Sequence, residues 1–223
     1  MPAFDQKLAE TDCIGCGQCA AVCPTAAITV YNDIGRVWRA LHDKNKRVVF
    51  QIAPAVRVAI GEAFGLRPGE NAMGKMVAAL RLMGAAEVFD TSFAADLTTV
   101  VEAKEFMNRL KNGGTFPMFT SCCPAWVKYV EYQRPELLRH ISSCKSPMEM
   151  FAAVLRDHYE KNSDGREVYH VAVMPCTAKK GEAKREEFTH NGKPDVDAVL
   201  TTIELINMIK ESGIDFANLE DEA

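Results

Sequence analysis

The sequence predicts an α/β fold: a parallel sheet with helices on both faces, preceded by a small cysteine-rich module. Three observations carry that expectation. Apolar runs of strand length alternate with segments of helical character from residue 48 to residue 212; such alternation produces parallel sheets covered by helices. Two of those runs end in a cysteine beside a proline, at Cys122-Cys123-Pro124 and at Pro175-Cys176. Four further cysteines crowd into residues 13–23, ahead of the first long run.

The composition bounds the function. The 223 residues are 48% hydrophobic and 25% charged, ordinary for a soluble globular protein and enough for one large domain with an appendage. The expected division is 1–36 and 37–223. A net charge of −4 gives no footprint for nucleic acid or an anionic membrane. No apolar run approaches the ~20 residues that span a bilayer. The start, Met1-Pro2-Ala3-Phe4-Asp5, lacks the basic and apolar pattern of a signal peptide, so a cytoplasmic location is expected. Eight cysteines, clustered and without an export signal, suggest metal binding before disulfides.

Taken in order, the chain opens on Cys13-x2-Cys16-x2-Cys19-x3-Cys23-Pro24, the bacterial ferredoxin run, which binds a 4Fe-4S cluster. Its spacing lets three thiolates of one loop take three corners of a cubane, with Gly15 and Gly17 allowing close backbone approach. A zinc knuckle is the competing reading, but zinc sites usually pair two distant CxxC units. In two-cluster ferredoxins the fourth cysteine of such a run serves the other cluster, and no second run exists here. Cys13, Cys16 and Cys19 are therefore the firm ligands. Cys23 either serves a cluster elsewhere or closes this one in an altered geometry.

A short strand is expected over 26–30, and a helix or linker over 34–45. Strands follow at 48–53, 87–90, 116–120, 167–174 and 196–200. Helices are expected at 55–66, 71–83, 94–110, 124–133, from 147 to about 161, near 179–188, and from 202 to about 212. Two helix starts carry capping-box patterns: Ser146-Pro147-Met148-Glu149, with proline at the first helical position, and Thr201-Thr202-Ile203-Glu204. Residues 191–194 read as a turn.

The chemistry concentrates where strands end, since ligands of open parallel sheets bind at the carboxyl ends of the strands. Cys123 precedes a helix, whose N-terminus favours the thiolate form. Cys176 ends a second strand, so the two sulfurs would face one crevice, and thiolates are the preferred ligands of iron–sulfur clusters. A lone buried cysteine is usually an inert small hydrophobe; two beside prolines at strand ends are harder to explain that way.

Thr120-Ser121-Cys122-Cys123-Pro124-Ala125-Trp126 and Met174-Pro175-Cys176-Thr177-Ala178-Lys179 resemble the first two of three signature motifs of the [FeFe]-hydrogenase large subunit. Ile52-Ala53-Pro54, Phe93-Ala94-Ala95-Asp96 and Ser142-Ser143-Cys144-Lys145-Ser146-Pro147 resemble that family as well. The likeness covers nearly the whole chain and implies a hydrogenase large-subunit half-domain behind a ferredoxin-like 4Fe-4S domain.

The resemblance implies an H-cluster: a cubane joined through a cysteine sulfur to a two-iron unit bearing CO and cyanide. Cys123 and Cys176 would be two of the four cubane ligands. Lys179 would reach a cyanide, Ala53, Pro54 and Met174 would line the two-iron pocket, and Cys122 would be the first proton relay. Glu102, Glu105 and Arg109 fall at i, i+3 and i+7, one helix face. Spacing alone suits a solvated stripe; the resemblance makes them the proton path, with Ser142 between the two glutamates. It also implies H₂ and protons as substrates, a redox partner such as ferredoxin or a diaphorase-type subunit, and cluster maturation proteins.

Departures from the family pattern carry expectations too. The third motif, which supplies the other two cubane cysteines, lies beyond residue 223. Cys144 stands where the family usually has a small residue and is expected to be a buried side chain. Met148 replaces a glutamine and Ala55 a serine. The chain therefore looks like a segment of a hydrogenase or half of a split one. A non-catalytic relative that assembles, senses or transfers electrons is the alternative.

Overall fold

The computed structural model describes residues 5–162 and 164–223. Among the described residues six strands are formed: β1 (Lys46–Ile52), β2 (Glu87–Asp90), β3 (Glu167–Met174), β4 (Thr189–His190), β5 (Lys193–Pro194) and β6 (Ala198–Thr201). The main sheet has the order β2-β1-β3-β6, and every pair in it is parallel. The helices are α1 (Gln18–Val22), α2 (Ile34–Leu41), α3 (Pro54–Ala59), α4 (Met73–Leu82), α5 (Ser92–Asn112), α6 (Pro124–Gln133), α7 (Pro147–Lys161), α8 (Lys179–Glu182) and α9 (Thr202–Glu211).

β1 is central and buried on both faces, which is why its sequence is almost continuously apolar. Val48, Phe50 and Ile52 pack with Val37 of α2, Val56 of α3, Leu80 of α4 and Leu205 of α9. Val49 points the other way, into a cluster with Ala94 of α5 and Phe151 and Leu155 of α7. Each such fully buried side chain contributes about 1.5–3 kcal/mol. Gln51 shares the second face; its amide donates to the Met148 carbonyl at 3.1 Å and accepts from the Thr91 hydroxyl at 3.0 Å. α2 spans the expected boundary at residue 36, and its Ile34, Val37 and Ala40 lie in the main core.

Several expectations are corrected. Residues 26–30 form no strand. The run 116–120 is reduced to a single parallel bridge between Phe119 and Ile141. Pro117 offers no N–H, and proline inside a run argues against a sheet strand. The helix expected at 55–66 is α-helical only to Ala59 and tightens into a 3-10 turn, Ile60–Phe64. The helix near 179–188 is only α8 followed by a 3-10 turn at Glu186–Phe188.

The box expected at the start of α7 is not made. Ser146 sits at the N-cap without a side-chain cap bond, and neither Ser146 Oγ nor either oxygen of Glu149 has a hydrogen-bond partner. The box at α9 is complete. Of the turn expected at 191–194, only Asn191 and Gly192, at φ 50° and 76°, form the tip of a hairpin between β4 and β5, and Lys193–Pro194 is β5 itself. Both are left-handed, as a two-residue hairpin loop requires.

Candidate active site at the strand ends

β1 and β3 deliver the first two pieces of the site side by side. Ile52 pairs with Val173, and the Ala53 amide donates to the Val173 carbonyl at 3.0 Å. Ala53 and Met174 are therefore neighbours, both buried, while Pro54 is exposed and opens α3. Cys176 follows one residue beyond Pro175.

The stretch carrying Cys122 and Cys123 reaches the same place by a different route. Cys123 is the N-cap of α6, with Pro124 at the first helical position. The ammonium of Lys179 crosses from α8 to donate to the Cys122 carbonyl at 3.0 Å. A bidentate ion pair of Arg185 with Glu131, at 2.6 and 3.1 Å, closes the same joint from outside. The backbones bearing Cys123 and Cys176 are thus tied together, and both thiols are free.

The ferredoxin run docks on this joint. The Thr177 hydroxyl, next to Cys176, donates to the Gly15 carbonyl at 2.9 Å. A side chain at Gly17 would come within 2.6 Å of Thr177 Oγ1, so glycine is needed for that approach. Gln133 of α6 donates to Asp12 at 3.1 Å. Among the described residues no three Cys, His, Asp or Glu side chains already converge as a metal site. The donor chemistry suits a cluster nevertheless. The Thr25 hydroxyl, then backbone amides of Ile28, Thr25 and Ala27, lower the Cys23 thiol to about 7, which favours the thiolate that a cluster takes as ligand.

On α5, Glu105 and Arg109 form an ion pair at 2.5 Å. Ser142 donates to Glu105 at 2.7 Å and accepts from the Cys144 amide at 3.1 Å. Burial opposes ionisation of Glu105, but bonds from Ser142, Arg109 and the Ser143 amide hold its carboxyl below the usual range. Glu102 accepts instead from the Thr120 hydroxyl at 2.7 Å. Ser142 therefore meets one glutamate where a bridge between both is expected; its hydroxyl is already committed on both sides. Arg109 also donates to the Ile141 carbonyl at 2.8 Å, fixing the loop that holds Ser142. Cys144 is buried as expected; burial, then the charges of Glu102 and Glu105, push its thiol up.

Some groups were not anticipated. Glu182 accepts from Lys179 at 2.7 Å, and the i, i+3 spacing of Lys179 and Glu182 is the signal for it. Thr120 lies within the first motif, and its bond to Glu102 joins segments 18 residues apart that local spacing does not link. Thr177 and Glu149 gave no signal beyond position and a cap pattern.

Residues 46–223 match the profile of the iron only hydrogenase large subunit, C-terminal domain. The chain belongs to this family. Residues 8–29 match a 4Fe-4S binding domain. The chain is 49% identical to the NADP-reducing hydrogenase subunit HndD of Solidesulfovibrio fructosivorans, over 99% of this chain and 39% of that protein. It is 31% identical to the cytosolic iron-sulfur assembly component 3 of Bos taurus, over 96% of this chain and 48% of that protein. The fold superimposes on the [FeFe]-hydrogenase HydA1 from Chlamydomonas reinhardtii with a TM-score of 0.77 and 40% identity, covering 86% of this chain and 50% of that one. The chain thus spans about half or less of these relatives. No helix among the described residues is long and apolar enough to cross a membrane.

Proposed function

We propose that this chain carries one wall of a [FeFe]-hydrogenase catalytic site, acting in the cytoplasm on the reaction 2H⁺ + 2e⁻ ⇌ H₂. Cys123 and Cys176 would hold two corners of the cubane, and the bound H-cluster supplies the hydrogen chemistry. Ala53 and Met174, both buried, and Pro54 beside them would line the adjoining pocket. Lys179 places an ammonium there, as suits anionic cyanide. Glu105 with Ser142, and Glu102 with Thr120, would each hold a proton on the way between the surface and Cys122, the step between the two pairs needing a rotation of Ser142, and Arg109 keeps Glu105 in place. Cys13, Cys16 and Cys19, with Cys23 as the remaining thiol, would hold a 4Fe-4S cluster, which would supply electron transfer. A ferredoxin or diaphorase-type subunit exchanges those electrons, and maturation proteins load the metal. The ferredoxin module is taken as 1–36 and the catalytic portion as 37–223.

The observation that supports this best is the Glu102–Thr120 hydrogen bond, which brings a titratable group to the stretch of Cys122, with Glu105 held by Ser142 on the same helix face. A cluster carrier has no use for such groups. In the full natural polypeptide, Glu105→Gln is expected to cut turnover by about 10²–10⁴-fold with iron content intact. Unchanged turnover removes Glu105 from the path. These 223 residues by themselves are expected to evolve little hydrogen, because two thiolates hold a cubane weakly.

The assembly-component relative motivates a second reading, a non-catalytic iron–sulfur protein. Infrared bands of metal-bound CO and cyanide after maturation separate the two; their absence in the full polypeptide favours the second.

A further inference from the structure

From residue 10 to residue 32 no side chain is buried, and α1 adds none to the core. A segment without an apolar core does not hold its shape by packing; small metal-binding modules of this kind draw their folding free energy from the metal. What ties the ferredoxin run to the rest of the molecule falls mainly on the loop after Cys176. The Thr177 hydroxyl donates to the Gly15 carbonyl at 2.9 Å. A side chain built on Gly15 would stand 3.8 Å from the Ala178 Cα, and one on Gly17 would press on Thr177 at 2.6 Å. Two lesser contacts lie outside that loop: Gln133 on Asp12 at 3.1 Å, and the Lys184 ammonium over the Tyr31 ring at 4.5 Å. Gly15 adjoins Cys16, and Thr177 adjoins Cys176. One hydrogen bond therefore joins the immediate neighbours of two cysteines from separate loops.

We propose that Thr177 couples these two loops, so that a cluster held by the run at 13–23 also holds residues 174–181 in place, Cys176 and Lys179 among them. Thiolates fixed on iron fix the backbone between Cys13 and Cys16, and with it the carbonyl that Thr177 grips. Thr177 is a positioning residue: it acts through Gly15 and ligates nothing. Such coupling is reciprocal, so a settled Cys176 loop favours cluster uptake by the run. The proposal rests on the run binding a 4Fe-4S cluster; it does not rest on hydrogen chemistry.

The test is hydrogen exchange, read by mass spectrometry over residues 174–181, in the full natural polypeptide reconstituted with iron and sulfide. Cys13→Ala/Cys16→Ala strips the run of its cluster, and exchange over 174–181 is expected to quicken about tenfold. Thr177→Val, which removes the hydroxyl and keeps the volume, is expected to quicken the same residues as much while the run keeps its iron. Combining all three substitutions is expected to add nothing further, because both changes cut one link. Effects that multiply in the combined variant overturn the proposal, since Thr177 would then act on its own loop alone. Lost iron with unmoved exchange in Cys13→Ala/Cys16→Ala overturns the proposal and leaves the cluster reading standing. Undiminished iron in that variant overturns the cluster reading of the run, and the proposal with it.

Discussion

The starts of α7 and α9 share one pattern, a hydroxyl residue followed three positions later by glutamate, yet they end up as opposites. At α9 the Glu204 carboxylate takes the Thr201 amide at 2.7 Å, and its other oxygen takes the Asp33 amide at 2.9 Å and the Lys180 ammonium at 3.0 Å. At α7 the Glu149 carboxylate takes nothing. The difference lies in what the neighbouring helix presents. Lys180 turns into the joint of α2, β6 and α9, where it meets Asp33, Glu204 and the Val199 carbonyl. Lys179, one residue earlier, turns toward the Cys122 stretch and brings Glu182 with it. One lysine locks a helix start; the other leaves a buried acid facing a like charge. A capping pattern states what a glutamate can do, and the surrounding charges decide whether it does so.

The largest effect that would break this contrast is at Lys180. Lys180→Met leaves Glu204 buried without a cation and Asp33 with Arg36 alone, and the loss of stability is expected at about 3–5 kcal/mol, read by urea unfolding. A loss below 1 kcal/mol would mean that the joint is not electrostatic.

Next comes the pH dependence at Glu149. Burial first, then the charge of Glu182, raises its carboxyl from 4.5 to about 8. Between those values the folded state binds the extra proton, so stability falls as pH rises, by up to about 1.4 kcal/mol per unit. It is fully present below the lower value and levels off above the higher one. Glu149→Gln is expected to remove that decline. A profile unchanged by the substitution would place the acid in water.

The smallest effects sharpen the contrast most. Thr201→Ala should cost about 1 kcal/mol, as loss of a working cap does. Ser146→Ala should be neutral or stabilise by about 1 kcal/mol, because the hydroxyl removed is buried and unpaired. Equal losses at the two positions would mean that both caps work.

These cases also show how much was legible beforehand. β1 and β3 were readable because strands buried on both faces need Val, Ile and Phe almost without interruption. α6 was readable from Pro124, and α9 from its closed box. The run at 116–120 misled because its apolar side chains outweighed Pro117, whose missing N–H was the better guide. Of the candidate site, the cysteines and the helical spacing of Glu102, Glu105 and Arg109 were visible as local patterns. The Thr177–Gly15 contact and the placing of Glu182 before Glu149 were not, since each joins segments far apart in the chain. Which glutamate Ser142 would serve depended on where the loop 142–146 came to rest, fixed by Arg109 holding the Ile141 carbonyl.

The most direct measurement is ⁵⁷Fe Mössbauer spectroscopy of the full natural polypeptide, reconstituted with iron and sulfide, with Cys123→Ala and Cys176→Ala beside it. If both sulfurs hold one cubane, each substitution removes the same cluster component and leaves the component of the Cys13–Cys19 run intact. Loss of two different components, or of none, would contradict a shared iron site.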